Sequence, residues 1–134
     1  MLNWYKTKYF VPAIIWAILI WSLSTTSNLP PVPWNFLSAD KVGHLFFYAV
    51  ETLLLIGALS KSLGWTKGGN WAWILCCMII AGFYGIVLEF VQATIPDRSF
   101  DYADMLANFA GTLVAAIFYY CTATKFFIQK TSAL

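Results

Sequence analysis

The chain has 134 residues, of which 60% are hydrophobic and 10% are charged, and its mean hydropathy is +0.71. Soluble domains carry about 25% charged residues, so this composition excludes an ordinary soluble domain and indicates an integral membrane protein. The net charge of +2 is small and the basic residues do not cluster, which argues against a nucleic-acid partner.

The first predicted membrane span covers about residues 9–23 and carries Pro12 near its start, where a helix tolerates proline. A basic start followed by an apolar run is also typical of a signal peptide. The segment from Ser22 to Ser27 offers a poor small-residue cleavage pattern. We therefore interpret this run as a retained helix that packs against the rest of the chain.

Three further spans are predicted, which makes the fold an all-α, four-transmembrane-helix bundle in a single domain. A segment with Pro30, Pro31 and Pro33 separates the first span from the second. Asp40 and Asp101 are predicted to cap the second and fourth helices, since an Asp side chain accepts from free backbone N–H groups there. The predicted bounds are about 40–59, 71–92 and 101–122.

The cysteines, Cys76, Cys77 and Cys121, lie in or beside apolar runs and lack the CxxC spacing of a metal site. They are interpreted as inert thiols.

Charge asymmetry predicts the orientation of the bundle. With four spans, both termini and the turn at residues 60–70 share one side, which holds six of the eight basic residues and no acid. Those six are Lys6, Lys8, Lys61, Lys67, Lys125 and Lys130. The positive-inside rule then places both termini in the cytoplasm. The acidic turn, with Asp97 and Arg98, would face outward.

Polar residues form one stripe on each of the last three helices, at the outward end. With 100° per residue, the members of each stripe fall within one arc. The stripes are Asp40, Lys41, His44, Tyr48 and Glu51; Gly82, Gly85, Glu89 and Gln92; and Asp101, Asp104, Asn108 and Gly111. Because ionisable groups avoid hydrocarbon, the stripes should face one another in a polar pocket. The glycines should let the third and fourth spans approach closely.

Structural explanations remain open for several of these residues. Asp40 and Asp101 fit simple helix caps, Arg98 a surface pair with Asp97 or Asp101, and Asn108 a hydrogen bond between helices. Tyr48 fits an amphipathic ring near the interface. Glu89 and His44 are the strongest functional candidates, because an intramembrane acid needs a partner and His44 is the single histidine of the chain.

These residues resemble the VanZ-like family of small bacterial membrane proteins. An Asp-Lys-x-x-His segment opens one helix of that family, and it is matched here by Asp40, Lys41 and His44. An E-x-x-Q…R…D-x-x-N-x-x-G pattern spans the next two helices. It is matched here by Glu89, Gln92, Arg98, Asp101, Asp104, Asn108 and Gly111. The resemblance covers about residues 10–122.

The resemblance implies cell-envelope biology in the bacterial inner membrane, because the family's namesake is associated with resistance to the glycopeptide teicoplanin. It implies no reaction. Expected partners are membrane lipids and an anionic headgroup or lipid-linked cell-wall precursor; the oligomeric state is left open.

The first hypothesis is an enzyme that acts on such an amphiphile. His44 would be the general base, since its unperturbed pKa lies near neutrality. The other expected catalytic residues are Asp40, Glu89 and Asp104, and the expected substrate-binding residues are Lys41, Tyr48, Gln92, Arg98, Asp101 and Asn108.

Three other functions are compatible with a polar pocket in a membrane protein, and two of them are disfavoured. A non-catalytic accessory protein would use the same pocket to hold a headgroup. A metal site built from His44, Asp40, Glu89 and Asp104 is disfavoured, because Lys41 and Arg98 beside them would repel a cation; no metal or other cofactor is therefore expected. A transporter is disfavoured because the cytoplasmic half has no polar stripe.

Overall fold

A computed structural model describes residues 4–27, 37–64, 70–96 and 98–131, with the side chains of residues 4, 37–38 and 124–131 excepted. Its elements are α1 (Trp4–Thr7), a 3₁₀ turn (Lys8–Phe10), α2 (Val11–Thr25), α3 (Leu37–Leu63), α4 (Trp71–Gln92) and α5 (Tyr102–Thr131). All regular structure in these ranges is helical, as predicted. The four spans are also confirmed, at Tyr5–Thr25, Ala39–Leu63, Trp71–Gln92 and Tyr102–Ala123.

The predicted helix bounds agree best with the structure where the sequence supplies a clear capping residue. The bounds of α4 are those predicted, and Asn70 caps it by accepting from the N–H of Ala72 at 3.0 Å. Asp101 caps α5 as predicted, because its Oδ1 accepts from the N–H of Ala103 at 2.7 Å. The cap predicted for Asp40 is wrong: α3 begins at Leu37, so Asp40 lies in its first turn.

Helices α3 and α5 pack tightly against each other at Gly111. A Cβ added at Gly111 would lie 2.3 Å from the carbonyl oxygen of Leu45 and 3.0 Å from the amide nitrogen of Ala49. Gly111 therefore brings α5 against α3 and not against the third span, which corrects the predicted role. Gly85 of α4 does face α5, since its added Cβ would meet the Asn108 side chain at 2.9 Å.

Helix α2 is attached to the other helices by hydrogen bonds from large aromatic side chains. Trp16 donates through Nε1 to the carbonyl of Phe47 on α3 at 3.0 Å. The Tyr84 hydroxyl on α4 donates to the carbonyl of Ala17 at 2.7 Å. Each bond satisfies a polar atom in the membrane interior, where an unpaired one is costly.

The outer faces of the four spans expose large apolar side chains. Examples are Ile15 on α2, Phe83 and Phe90 on α4, and Phe118 on α5, each more than half exposed. Such a surface is compatible with acyl chains and not with water, so these faces contact membrane lipids.

Some predictions fall outside the described residues. They concern the proline-containing segment before α3, Lys67, and Asp97 as a partner of Arg98. The side chains of Lys125 and Lys130 are likewise not described.

Candidate functional site

The polar stripes converge at one end of the bundle, where α3 and α5 begin and α4 ends. We call this the acidic end. Lys41 is at its centre: the ammonium contacts Asp101 Oδ2 at 2.5 Å, Asp104 Oδ1 at shorter range, and Asp40 Oδ2 at 3.6 Å. The Lys41 ammonium and the N–H of Ala103 hold the pKa of the Asp101 carboxyl below its ordinary range. Lys41 thus joins α3 to α5 through ion pairs.

His44 lies one turn deeper on α3. Its Nδ1 is 3.0 Å from the amide oxygen of Asn108 on α5, and because that oxygen can only accept, Nδ1 donates. Its Nε2 is 3.8 Å from Asp40 Oδ1 and 3.7 Å from Asp104 Oδ2. Both distances exceed those of a hydrogen bond. The ring is therefore fixed at one nitrogen while the other faces two carboxylates.

Glu89 lies inside the bundle, as predicted, with only 1% of its surface exposed. Its Oε2 accepts from the backbone N–H of Asp101 at 3.4 Å, and its Oε1 has no hydrogen-bond partner among the described residues. The nearby cations, Lys41 and Arg98, make their described contacts with other groups.

Gln92 and Arg98 connect the end of α4 and the following turn to α2. Gln92 donates to the carbonyl of Ser24 at 3.2 Å. Arg98 Nη2 lies 3.4 Å from the carbonyls of Leu23 and Thr26. A guanidinium at this position suits the negative C-terminal end of α2.

A cleft of about 340 Å³ opens between α2, α3 and the end of α4. One wall is apolar and includes Ile20, Leu23 and Phe47, whereas Asp40 and Arg98 supply charge at the acidic end. The full lining is Ile20, Leu23, Ser24, Ala39, Asp40, Gly43, His44, Phe47, Tyr48, Gln92 and Arg98. The volume lies within the range of about 300–1,000 Å³ that is typical of small-molecule sites.

The family model for VanZ/LLP1 matches residues 6–126, which is most of the chain. The chain belongs to the VanZ/LLP1 family. No curated protein and no solved structure matches it.

The predicted site of this VanZ/LLP1 protein divides into two adjoining parts. Asp40, His44, Tyr48, Gln92 and Arg98 line the cleft. The remaining predicted residues, Lys41, Glu89, Asp101, Asp104 and Asn108, lie behind it, between α3, α4 and α5. Asp40 and His44 connect the two parts. The catalytic and substrate-binding roles of all ten residues stay predictions.

Sequence reasoning did not anticipate the α2 wall of the cleft. Helix α2 carries no polar stripe, and Ser24 participates through its backbone carbonyl, which no side-chain pattern reveals. Buried Thr52 and Thr112 were also missed. Their burial could have been predicted from their positions, because Thr52 follows Glu51 and Thr112 follows Gly111 in the sequence.

Proposed function

We propose that this VanZ/LLP1 protein holds the phosphate-bearing headgroup of a membrane amphiphile in the cleft at its acidic end. The acidic end faces outward in the bacterial inner membrane, with both termini in the cytoplasm. The amphiphile is a phospholipid or a lipid-linked cell-envelope precursor.

The observation that carries this proposal is the division of one cleft into an apolar wall and a charged end. Ile20, Leu23 and Phe47 offer a surface that suits an acyl or isoprenoid chain. Arg98, at the charged end, is a planar donor that suits phosphate. An amphiphile is the ligand class that satisfies both surfaces at once, with its chain continuing into the bilayer.

Among the described residues, Arg98 is the cation that lines the cleft. Lys41 is engaged by Asp101 and Asp104 and does not line the cleft. Arg98 contacts two carbonyls at 3.4 Å through one nitrogen, and its other donors have no partner among the described residues and can serve a ligand. The charge of Arg98 should therefore decide headgroup selectivity.

Native mass spectrometry of the purified protein tests the proposal. We expect retention of phosphatidylglycerol over a diacylglycerol with the same chains, and we expect Arg98→Ala to abolish that preference. Lys61→Ala removes an exposed cation at the opposite end, and Tyr84→Phe removes a bond that holds α2 without changing the charge of the cleft. Both controls should keep the preference. Equal retention of the two lipids by the unaltered protein would contradict the proposal.

A catalytic function is the second candidate, and His44 is the observation that favours it. Asn108 fixes the Nδ1–H of His44, so Nε2 is the basic nitrogen at a cleft-lining position. Asp40 and Asp104 would stabilise the imidazolium formed when Nε2 takes a proton from water or a second substrate. His44→Gln separates the candidates: an enzyme loses turnover of the retained lipid and keeps the lipid, whereas a binding protein has no turnover to lose.

A link to glycopeptide tolerance is proposed for the case in which the amphiphile is a lipid-linked wall precursor. Expression of the protein should then change the teicoplanin sensitivity of a Gram-positive host, and expression of Arg98→Ala should not. Unchanged sensitivity with both proteins would contradict this link and leave phospholipid binding as the proposal.

A further inference from the structure

Among the described residues, carboxylates outnumber cations at the acidic end. Asp40, Asp101 and Asp104 contact the ammonium of Lys41, and Glu89 accepts from the backbone N–H of Asp101. Lys41 occupies Oδ2 of Asp101 and Oδ1 of Asp104. The second oxygen of Asp104 and Oδ1 of Asp40 remain, and both are directed toward His44 Nε2. The arrangement carries surplus negative charge where two carboxylate oxygens and a ring nitrogen converge.

The geometry of these three atoms matches metal ligation better than hydrogen bonding. Ligand atoms of Asp40, His44 and Asp104 lie within 4.8 Å of one another. The His44 separations of 3.8 and 3.7 Å are too long for hydrogen bonds. Ligands at about 2.0–2.2 Å from a tetrahedral ion stand roughly 3.3–3.6 Å apart, so small side-chain rotations would complete the site.

The environment of His44 supplies an independent indication. Metal-bound histidines almost always donate their second ring N–H to a carbonyl or carboxylate, which orients the ligating nitrogen. The bond from Nδ1 to the Asn108 amide oxygen, at 3.0 Å, has this form. Asn108 is itself only 2% exposed, so the bond is shielded from water.

The objection that nearby cations would repel a metal is answered by the structure. The Lys41 ammonium contacts Asp101 Oδ2, Asp104 Oδ1 and, at 3.6 Å, Asp40 Oδ2. It leaves Asp104 Oδ2 and Asp40 Oδ1, the oxygens nearest to His44 Nε2, to a metal ion. Arg98 is directed to the end of α2. Glu89, the fourth residue of the set considered from the sequence, is not in the three-residue group.

We infer that Asp40, His44 and Asp104 form a divalent transition-metal site. One imidazole and two carboxylates suit Zn²⁺, Mn²⁺, Fe²⁺ or Co²⁺ better than Ca²⁺ or Mg²⁺, which prefer all-oxygen sets. Three protein ligands leave a coordination position open, as in catalytic metal sites. Asp40 is exposed and, like His44, lines the cleft, so an ion can enter from the acidic end.

The site deepens the proposed function, and its role toward a headgroup rests on that function. An ion at this position would offer the open coordination site to a phosphate oxygen beside Arg98. His44 then acts as a metal ligand and not as the general base.

Co²⁺ binding to the full chain, purified in detergent through a histidine-free tag, tests the inference. Visible absorption and calorimetry should report one Co²⁺ with carboxylate and imidazole ligation. His44→Ala should abolish this signal. Asp40→Asn, at an exposed position that carries little risk for folding, should weaken binding strongly. Asn108→Ala, which loosens His44, should weaken it by about 10- to 100-fold. The cysteines are present in every variant, so any thiolate binding cancels in the differences.

Arg98→Ala separates metal binding from charge-dependent lipid binding, because it removes the cation of the cleft and none of the three proposed ligands: the lipid preference should be lost and Co²⁺ affinity should be retained. No Co²⁺ binding, or binding that survives both His44→Ala and Asp40→Asn, would overturn the inference. Lipid retention measured in EDTA tests the headgroup cleft without a bound metal, and so distinguishes that proposal from the metal site. Selective lipid retention without Co²⁺ binding would support the headgroup cleft and contradict the metal site. Co²⁺ binding without selective retention would contradict the headgroup cleft alone.

Discussion

Lys41 holds the α3–α5 junction by pairing with Asp101, which caps α5, and with Asp104 in its first turn. These pairs are partly buried, and removing one member of such a pair leaves the other charge without its partner, which costs more than removing both. We therefore expect Lys41→Met and Asp104→Asn each to lower the melting temperature in detergent. Their effects should fall short of additivity, with an interaction free energy of about 0.5–3 kcal/mol.

The matched comparison combines Lys41→Met with Tyr84→Phe, which acts at the α2–α4 contact. These two effects should add. Strict additivity of Lys41→Met with Asp104→Asn would mean that the two side chains stabilise the bundle independently.

The stability of the folded protein should depend on pH through the carboxyl group of Asp101. Its pKa is lowered, chiefly by the Lys41 ammonium. A carboxyl with a lowered folded-state pKa contributes stability above its unfolded pKa of about 3.9, and loses it as the pH falls through the folded value. The stability difference between the unaltered protein and Asp101→Asn should thus be constant from pH 7 to pH 5 and shrink below pH 4. A difference that shrinks between pH 7 and pH 5 would contradict this assignment.

At the residue scale, the sequence predicted which side chains converge but not how they pair. The 3.6-residue period places His44, Glu89 and Asp104 on inward arcs, and their burial or near-burial agrees. Which side chains form a hydrogen bond or ion pair depends on differences of about an ångström in the spacing of helices. The periodicity of the sequence carries no information on that spacing. Hence the backbone N–H of Asp101 as the partner of Glu89 could not be predicted.

At the element scale, the α3–α5 contact depends on the absence of a side chain at Gly111. An added Cβ would lie 2.3 Å from a backbone carbonyl of α3, and backbone cannot rotate aside as a side chain can. Gly111→Ala should therefore destabilise the protein by about 1–3 kcal/mol, as overpacking does. Thermal unfolding in detergent measures the change.

Gly57→Ala is the matched control. It also lies inside a helix, and an added Cβ there meets nothing within 4 Å. This substitution should stabilise the helix by about 0.5–1 kcal/mol, because alanine loses less backbone entropy than glycine. Equal effects at the two glycines would show that close packing is not the reason for Gly111.

Helix ends were predictable only where a local signal marks them. Asn70 and Asp101 are good caps, and both precede helices whose starts were predicted to within one residue. Helix α5 runs to Thr131, nine residues past its predicted end at 122. Neither glycine nor proline follows Gly111, so the helix continues after the apolar run stops. Hydropathy therefore predicts where the membrane span ends and not where the helix ends.

At the scale of the whole molecule, the four spans place the acidic end and the α3–α4 connection on opposite membrane faces. Single cysteines at Ser99 and Lys61, in a background with the native cysteines replaced by alanine, should react with an impermeant maleimide from opposite sides. In intact cells Ser99→Cys should be labelled, and Lys61→Cys only after permeabilisation. Labelling of both from outside would contradict the topology.

Photo-crosslinking tests most directly whether the cleft holds a membrane amphiphile, as we propose. A phosphatidylglycerol with a diazirine in its acyl chains should crosslink to the apolar wall of the cleft at Ile20, Leu23 and Phe47. Arg98→Ala should reduce those crosslinks, while crosslinks to the bilayer-facing residues Phe83 and Phe90 should persist in both proteins. Crosslinks confined to such bilayer-facing residues, and unchanged by Arg98→Ala, would contradict the claim.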